Sequence, residues 1–285
     1  METYKKLINE MSNIKDSTKY NYAKLLDRLI KANFNFTFVK MDEENPDGIA
    51  KFLDDNFKTP TQKLDILKII MVLRIQLNKP ADKLRILRTK YNIVRTTTQQ
   101  TNTDKKDNLM KYEDFIKIID ELYKNKQYLQ YILNYLILNY GVRNMDLLIV
   151  LDDKPKEDTK NYLSIIKNKV YYIRNNYKNV KSYGTQQHEI IDPKFKKALK
   201  ELKREIKKGY TIFNKPLDEI KQISNTLKRH LILSEGDAFK MLINHYYQLK
   251  DTVKINELSQ TRGTDLNTVS NYYNLNYEPP IIRQV

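Results

Sequence analysis

Residues 138–150 read LNYGVRNMDLLIV. An apolar helical run stops at Gly141, Arg143 follows at once, and Asp146 leads into the run LLIV. Glycine just past a helical run takes the left-handed conformation that closes a helix, and a short apolar, β-branched run favours a strand. Arg143 is thereby set at the seam between a helix and a strand. Two roles fit an arginine there. It can bond helix-end carbonyls and pair with Asp146, or it can grip an anion.

Working back from this seam, KYEDFIKIIDELYKN and QYLQYILNYLILNYG read as two helices, the second nearly apolar and hence central. Working forward, DLLIVLD, NYLSII, KVYYIRN and QQHEIID are short β-branched and aromatic runs between 147 and 192, with Lys167–Asn168 the tightest turn. They predict a small antiparallel sheet. Helices resume at PKFKKALKELKREIKK and run to about Tyr273, and the tail NYEPPIIRQV is expected to be extended because of Pro279 and Pro280. The first hundred residues read as four or five helices. Ser17 or Thr18 is expected to cap the first long one, Pro46 opens another, and Thr59 with Pro60 starts a third whose apolar face runs from Leu64 to Leu77. PADKLRILRTKYNIV is read as one more short helix. RTTTQQTNTDKKDN, residues 95–108, has no apolar residue and is read as a linker. The fold class expected is mainly α with a small antiparallel β-sheet (α+β).

The chain of 285 residues carries 51 Lys and Arg against 35 Asp and Glu, a formal charge of +16. Such an excess favours a polyanionic partner, nucleic acid above all; a solvated basic surface is the plainer reading. With no cysteine, disulfides, thiol nucleophiles and thiolate zinc sites are excluded. The six glycines never cluster, which rules out a P-loop or a dinucleotide fingerprint. His188, His230 and His245 are far apart, so no metal and no cofactor is expected. The start METYKKLINEMSN lacks the apolar core of a signal peptide, and no stretch of about 18 apolar residues occurs. An intracellular protein that does not enter the membrane is expected. Abundant Lys, Asn, Ile and Tyr, with no Trp, fit an AT-rich coding genome.

The order of these features resembles the tyrosine recombinase and integrase superfamily, which shares its catalytic fold with type IB topoisomerases. Residues 1–95 resemble its helical core-binding domain, with the opening Ser17, Thr18 and Tyr22; 96–108 is the linker; and 109–285 resembles its catalytic domain, with a small three-stranded sheet and a C-terminal tail. YGVRNMDLL resembles the first arginine box, with Gly141, Arg143 and Asp146 in place. YIRNNYKNVKSYGTQQHEIID resembles the strand–lysine–strand unit with Lys178, and ELSQTRGTDLNTVSNYY resembles the terminal box with Tyr272 as nucleophile and Tyr273 as second choice. The second box departs from the family. Asp237 takes its histidine place and Lys240 its arginine place, while Gly263 takes the later histidine or tryptophan place with Arg262 beside it.

The resemblance implies a site-specific recombinase that cuts and rejoins double-stranded DNA through a phosphotyrosine, without cofactor, as a homo-oligomer, often a tetramer, on DNA. Arg143 with Lys240 and Arg262 would clamp the phosphate, and Lys178 would protonate the leaving oxygen. Two alternatives stand beside it. One is a DNA-binding protein that keeps the fold and has lost cleavage, suggested by the altered second box. The other is a type IB topoisomerase-like enzyme.

Overall fold

The computed structural model of the chain describes residues 2–12, 14–100, 109–155 and 159–275, and the side chains of all of these but 96–100, 271 and 272. The chain divides into two compact units, Met1–Asn102 and Thr103–Val285. The tail 276–285, expected to be extended, lies outside the described residues.

The first unit is helical: α1 (Glu2–Asn9), α2 (Asp16–Lys31), α3 (Thr37–Lys40), α4 (Pro46–Asn56), α5 (Pro60–Gln76) and α6 (Asp82–Gln100). Helix α5 starts as expected, with a reciprocal capping box between Thr59 and Gln62. It is apolar around most of its circumference and forms the centre of the unit, burying Ile66, Leu67, Ile69, Ile70 and Leu73 against Leu26, Leu29, Ile49 and Leu53. Two expectations need correction. Ser17 and Thr18 lie inside the first turn of α2, and the cap position is Lys15, with no side-chain bond. Helix α6 is not short and runs to Gln100, into the segment read as linker, because Thr and Gln lower helix propensity only slightly and no Gly or Pro intervenes.

One buried cation ties this unit together. Arg74 is fully buried on α5; Nε donates to the Pro80 carbonyl at 2.7 Å and Nη1 to the Phe38 carbonyl at 2.5 Å. Glu44, also buried, accepts from the Leu84 N–H at 2.8 Å and lies within the field of Arg74. Replacing Arg74 by methionine keeps volume but strands two carbonyls and a buried carboxylate. An expected loss of about 2–4 kcal/mol is checked by urea unfolding of the full chain.

The second unit is mostly helical around a small sheet. Helices α7 (Tyr112–Lys124) and α8 (Tyr128–Tyr140) precede a 3-10 turn at Asn144–Leu147. Four strands follow, β1 (Ile149–Leu151), β2 (Asn161–Ile166), β3 (Lys169–Arg174) and β4 (Gln186–Ile190), with the short α9 (Val180–Tyr183) between β3 and β4. The unit ends with α10 (Pro193–Glu205), a 3-10 turn at Leu217–Glu219, α11 (Ile223–Leu227), α12 (Glu235–Gln248), α13 (Thr252–Arg262) and α14 (Leu266–Tyr272). Gly141 closes α8 with φ of 57°, in the left-handed region. Helix α8 is the core helix and buries Ile132, Leu133, Leu136 and Ile137.

The sheet departs from expectation. It has four strands in the order β1-β2-β3-β4, and β1 pairs with β2 in parallel, so it is neither three-stranded nor wholly antiparallel. The β2–β3 hairpin does turn at Lys167–Asn168, both at positive φ (47° and 67°), which suits a two-residue primed turn. The outer edge of β1 is covered by residues 210–212: Ile212 N–H donates to the Ile149 carbonyl at 2.9 Å and Leu151 N–H to the Tyr210 carbonyl at 3.2 Å. A three-residue strand satisfied on both edges can run in either sense, and residue types do not record which.

Candidate functional site

Three segments far apart in sequence meet beside Gly141. The first is the loop that carries Arg143. The second is the connection from β3 to β4, which carries Lys178. The third is the turn after α13, Arg262–Asp265. Half-buried Arg143 donates through Nη1 to the Arg262 carbonyl and through Nη2 to Thr264 Oγ1 at 2.8 Å. Asn179, next to Lys178, donates to the Gly263 carbonyl. Gly263 has φ of 65°, which favours glycine, and a Cβ there would sit tightly, 3.2 Å from the Asn179 Cβ.

Beneath these contacts lies a buried polar frame. Asp146, fully buried, accepts through Oδ2 from the Arg143 N–H at 2.9 Å and from Arg174 Nη2 at 2.5 Å. Arg174, at the end of β3 and also fully buried, donates to Gln186 Oε1 at 2.6 Å and to the Thr261 carbonyl. Asn161 on β2 accepts from the N–H groups of Asn175 and Asn176 at 3.0 and 2.8 Å, and Tyr172 hydroxyl donates to the Asp146 carbonyl at 2.9 Å. The frame therefore fixes the Arg143 loop, the start of the lysine connection and the end of α13 to one another. Asp146 pairs with Arg174, and the Arg143 side chain is left to face the Arg262–Thr264 turn.

Arg262 is placed otherwise than a phosphate clamp requires. Its side chain is 2% exposed, donates to the Gly141 and Val142 carbonyls at 2.7 and 3.2 Å, and pairs with Glu235 at 2.7 Å. Its guanidinium lies over the Phe239 ring at 4.2 Å and the Tyr273 ring at 5.5 Å. Lys240 stands on α12 and faces Asp237 at 3.8 Å. Asp237 itself closes the cap of α12, where the Ser234 hydroxyl donates to it at 2.6 Å and its own N–H donates back to Ser234 Oγ at 3.2 Å. The residue in the family's histidine place is thus a helix-start residue. No described contact joins Lys240 to Arg143. It lies one turn before Asn244, whose amide donates to the Tyr273 carbonyl at 2.8 Å.

Lys178 is exposed in the turn before α9. Tyr272 ends α14, and its side chain lies outside the described residues. Tyr273 is half-buried and edge-on to Phe239 at 4.7 Å. Burial, and then the neighbouring Arg262, push the Arg143 guanidinium pKa down; Asp146, Glu235 and Tyr273 oppose the shift. Three guanidinia (Arg143, Arg174 and Arg262) share two carboxylates (Asp146 and Glu235), so the cluster keeps a positive charge. Sequence reasoning missed Glu235, Arg174 and Asn161. Glu235 reads locally as an ordinary first-turn acid, and nothing in the residues around Arg174 announces its burial.

One titration is built into the back of this frame. His188 on β4 packs against Tyr140 at 4.7 Å and Tyr172 at 6.3 Å, and its Nε2 is buried without a partner among the described residues. Burial, with Arg174 nearby, lowers its pKa to about 4 from the ordinary 6.5. The unfolded chain therefore takes up a proton as pH falls through 6.5, while the folded chain does so only near 4. Stability is expected to decline across that window, by about 3 kcal/mol, and His188→Gln should flatten the decline in urea melts taken between these pH values.

Among the described residues no group of three or more His, Asp or Glu could hold a metal, and no helix is long and apolar enough to cross a membrane. No family model, curated protein or solved structure matches the chain.

Proposed function

We propose that this protein binds double-stranded DNA and breaks and rejoins it through a phosphotyrosine, as a site-specific recombinase of the tyrosine class does. One observation carries the reading: Arg143, the connection bearing Lys178 and the turn leading to the tyrosine pair are joined by direct hydrogen bonds, although Arg143 and Thr264 lie 121 residues apart. A charge of +16 supplies the attraction for DNA.

In this reading the tyrosine hydroxyl gives up its proton to solvent as its oxygen attacks a backbone phosphorus, the P–O bond to the leaving sugar breaks, and Lys178 hands that sugar oxygen a proton. Arg143, half-buried and under-neutralised, offsets the charge that builds on the non-bridging oxygens. The motif spacing assigns the attack to Tyr272. The Tyr273 ring, which lies 5.5 Å from the Arg262 guanidinium, keeps Tyr273 as the second choice. A nicked duplex that loses its short leaving strand traps the adduct, seen as a band that survives denaturant. Wild type is expected to give the band and Tyr272→Phe to abolish it; loss only in Tyr273→Phe would move the role to Tyr273.

A second reading is favoured by a specific contact. Glu235 neutralises Arg262, and Asp237 is engaged in a helix cap, which leaves one arginine where two would clamp. A protein that binds DNA steeply dependent on salt, but never forms an adduct, would fit this reading.

A further inference from the structure

Glu235 opens α12 and turns its carboxylate back into the arginine cluster. Oε1 accepts from Arg262 Nη2 at 2.7 Å, and Oε2 accepts from the Asn144 backbone N–H at 2.5 Å. The Arg262 side chain is 2% exposed and that of Glu235 is 21% exposed, so Glu235 is the member of the pair that reaches solvent. Arg143 lies within the field of the same carboxylate. An arginine N–H, a backbone N–H and a second guanidinium close by form a donor set suited to the two non-bridging oxygens of a phosphodiester. Here that set holds a side chain of the protein.

We propose that Glu235 is the resident occupant of a phosphate seat, and that a phosphodiester enters by taking over Arg262 Nη2 and the Asn144 N–H while Glu235 turns out to solvent. The proposal rests on reading the Arg143–Arg262 cluster as the phosphate site. Its physical content is an exchange. A buried guanidinium stripped of its counter-charge is strongly disfavoured, whereas Glu235 already reaches solvent and is readily hydrated. The carboxylate therefore leaves only as another anion arrives. Weak free anions compete poorly against a tethered carboxylate at high effective concentration. A phosphodiester held in register by other contacts along a DNA backbone competes well. The seat thus discriminates against free phosphate and opens to a bound strand, and it accounts for an arginine that looks withdrawn from use.

The test uses inorganic phosphate and the full chain, with binding read by calorimetry and melting temperature by thermal shift. E235Q keeps the shape and removes the charge. It is expected to bind phosphate about tenfold or more tightly than wild type, to melt lower without phosphate, and to recover as phosphate is added. Adding Arg262→Met to E235Q should abolish the gain. Equal phosphate affinity in wild type and E235Q would overturn the proposal, as would a gain that survives Arg262→Met. If E235Q does not fold, the Asn144 amide resonance of the wild type decides: it should shift as a short DNA duplex is titrated, and no shift at saturation overturns the exchange. No arm reads strand cleavage. Absence of a covalent adduct would therefore count against the proposed reaction while leaving the seat tested on its own terms.

Discussion

Asp146→Ala is expected to lower the stability of the second unit by about 3–5 kcal/mol, the largest loss of any single substitution considered. The reason is the state it leaves behind. Asp146 and Arg174 are both fully buried, and their ion pair is 2.5 Å long. Removing the carboxylate leaves a guanidinium in the interior with the Gln186 side chain, the Thr261 carbonyl and the face of the Tyr177 ring at 4.5 Å but no counter-charge paired with it. It also frees the Arg143 N–H, which Asp146 accepts at 2.9 Å. The double variant Asp146→Leu with Arg174→Met should recover part of the loss, because an apolar pair carries no desolvation cost. Urea unfolding of the three chains measures this. A loss under about 1 kcal/mol in Asp146→Ala, the size of an ordinary exposed pair, would mean that the frame does not anchor the site.

Arg143→Ala is expected to behave in the opposite way, with a large effect on chemistry and a small one on stability. Its side chain is half-buried and donates to the Arg262 carbonyl and Thr264 Oγ1, so its loss should cost about 1–2 kcal/mol of folding energy. A cation that offsets charge developing on a phosphoryl group is worth about a thousandfold in rate. The rate of adduct formation on the nicked duplex should fall by that order. Arg143→Lys should restore charge without the planar fork, and so recover only part of the rate. A rate reduced no more than Asn179→Ala reduces it would make Arg143 a brace for the Arg262–Thr264 turn. Asn179 is the proper comparison because it bonds the same turn, through the Gly263 carbonyl.

Local signals carried much of this architecture. Gly141 closing α8, Thr59 and Pro60 opening α5, and Lys167–Asn168 turning the β2–β3 hairpin are each set by the chemistry of one or two residues. Such features are readable because the interaction lies within a few positions of the residue that causes it. The misread parts depend on partners far along the chain. Whether β1 pairs parallel or antiparallel is decided by where β2 returns, not by Ile149–Leu151 themselves. That α6 continues to Gln100 shows a polar Thr and Gln run staying helical, which composition alone assigns to a linker.

The site divides along the same line. Arg143 was legible from its place between a helix-closing glycine and a strand, and the structure does bring it to the Arg262–Thr264 turn. Its expected partner Asp146 belongs instead to Arg174, and nothing local shows that Arg174 on β3 is buried. Arg262 beside Gly263 is expected in the phosphate clamp, yet Glu235, 27 residues away, pairs with it. Asp237 fits a motif place by counting, but its bonds to Ser234 are those of a helix start. Counting places residues along a chain, whereas charge and burial depend on what folds against them.

The central claim is that Arg143, Lys178 and the tyrosine pair serve one phosphodiester. It is tested most directly by trapping the wild-type chain on a nicked duplex, digesting with trypsin, and locating the nucleotide-bearing residue by mass spectrometry. Cleavage after Arg262 and Arg283 releases residues 263–283, which contain Tyr272, Tyr273 and Tyr277. The account predicts the adduct in this peptide, on Tyr272 or its neighbour Tyr273. An adduct on any of the other 18 of the chain's 21 tyrosines, outside this peptide, would contradict it. So would a chain that binds the duplex at low salt and carries no adduct at all.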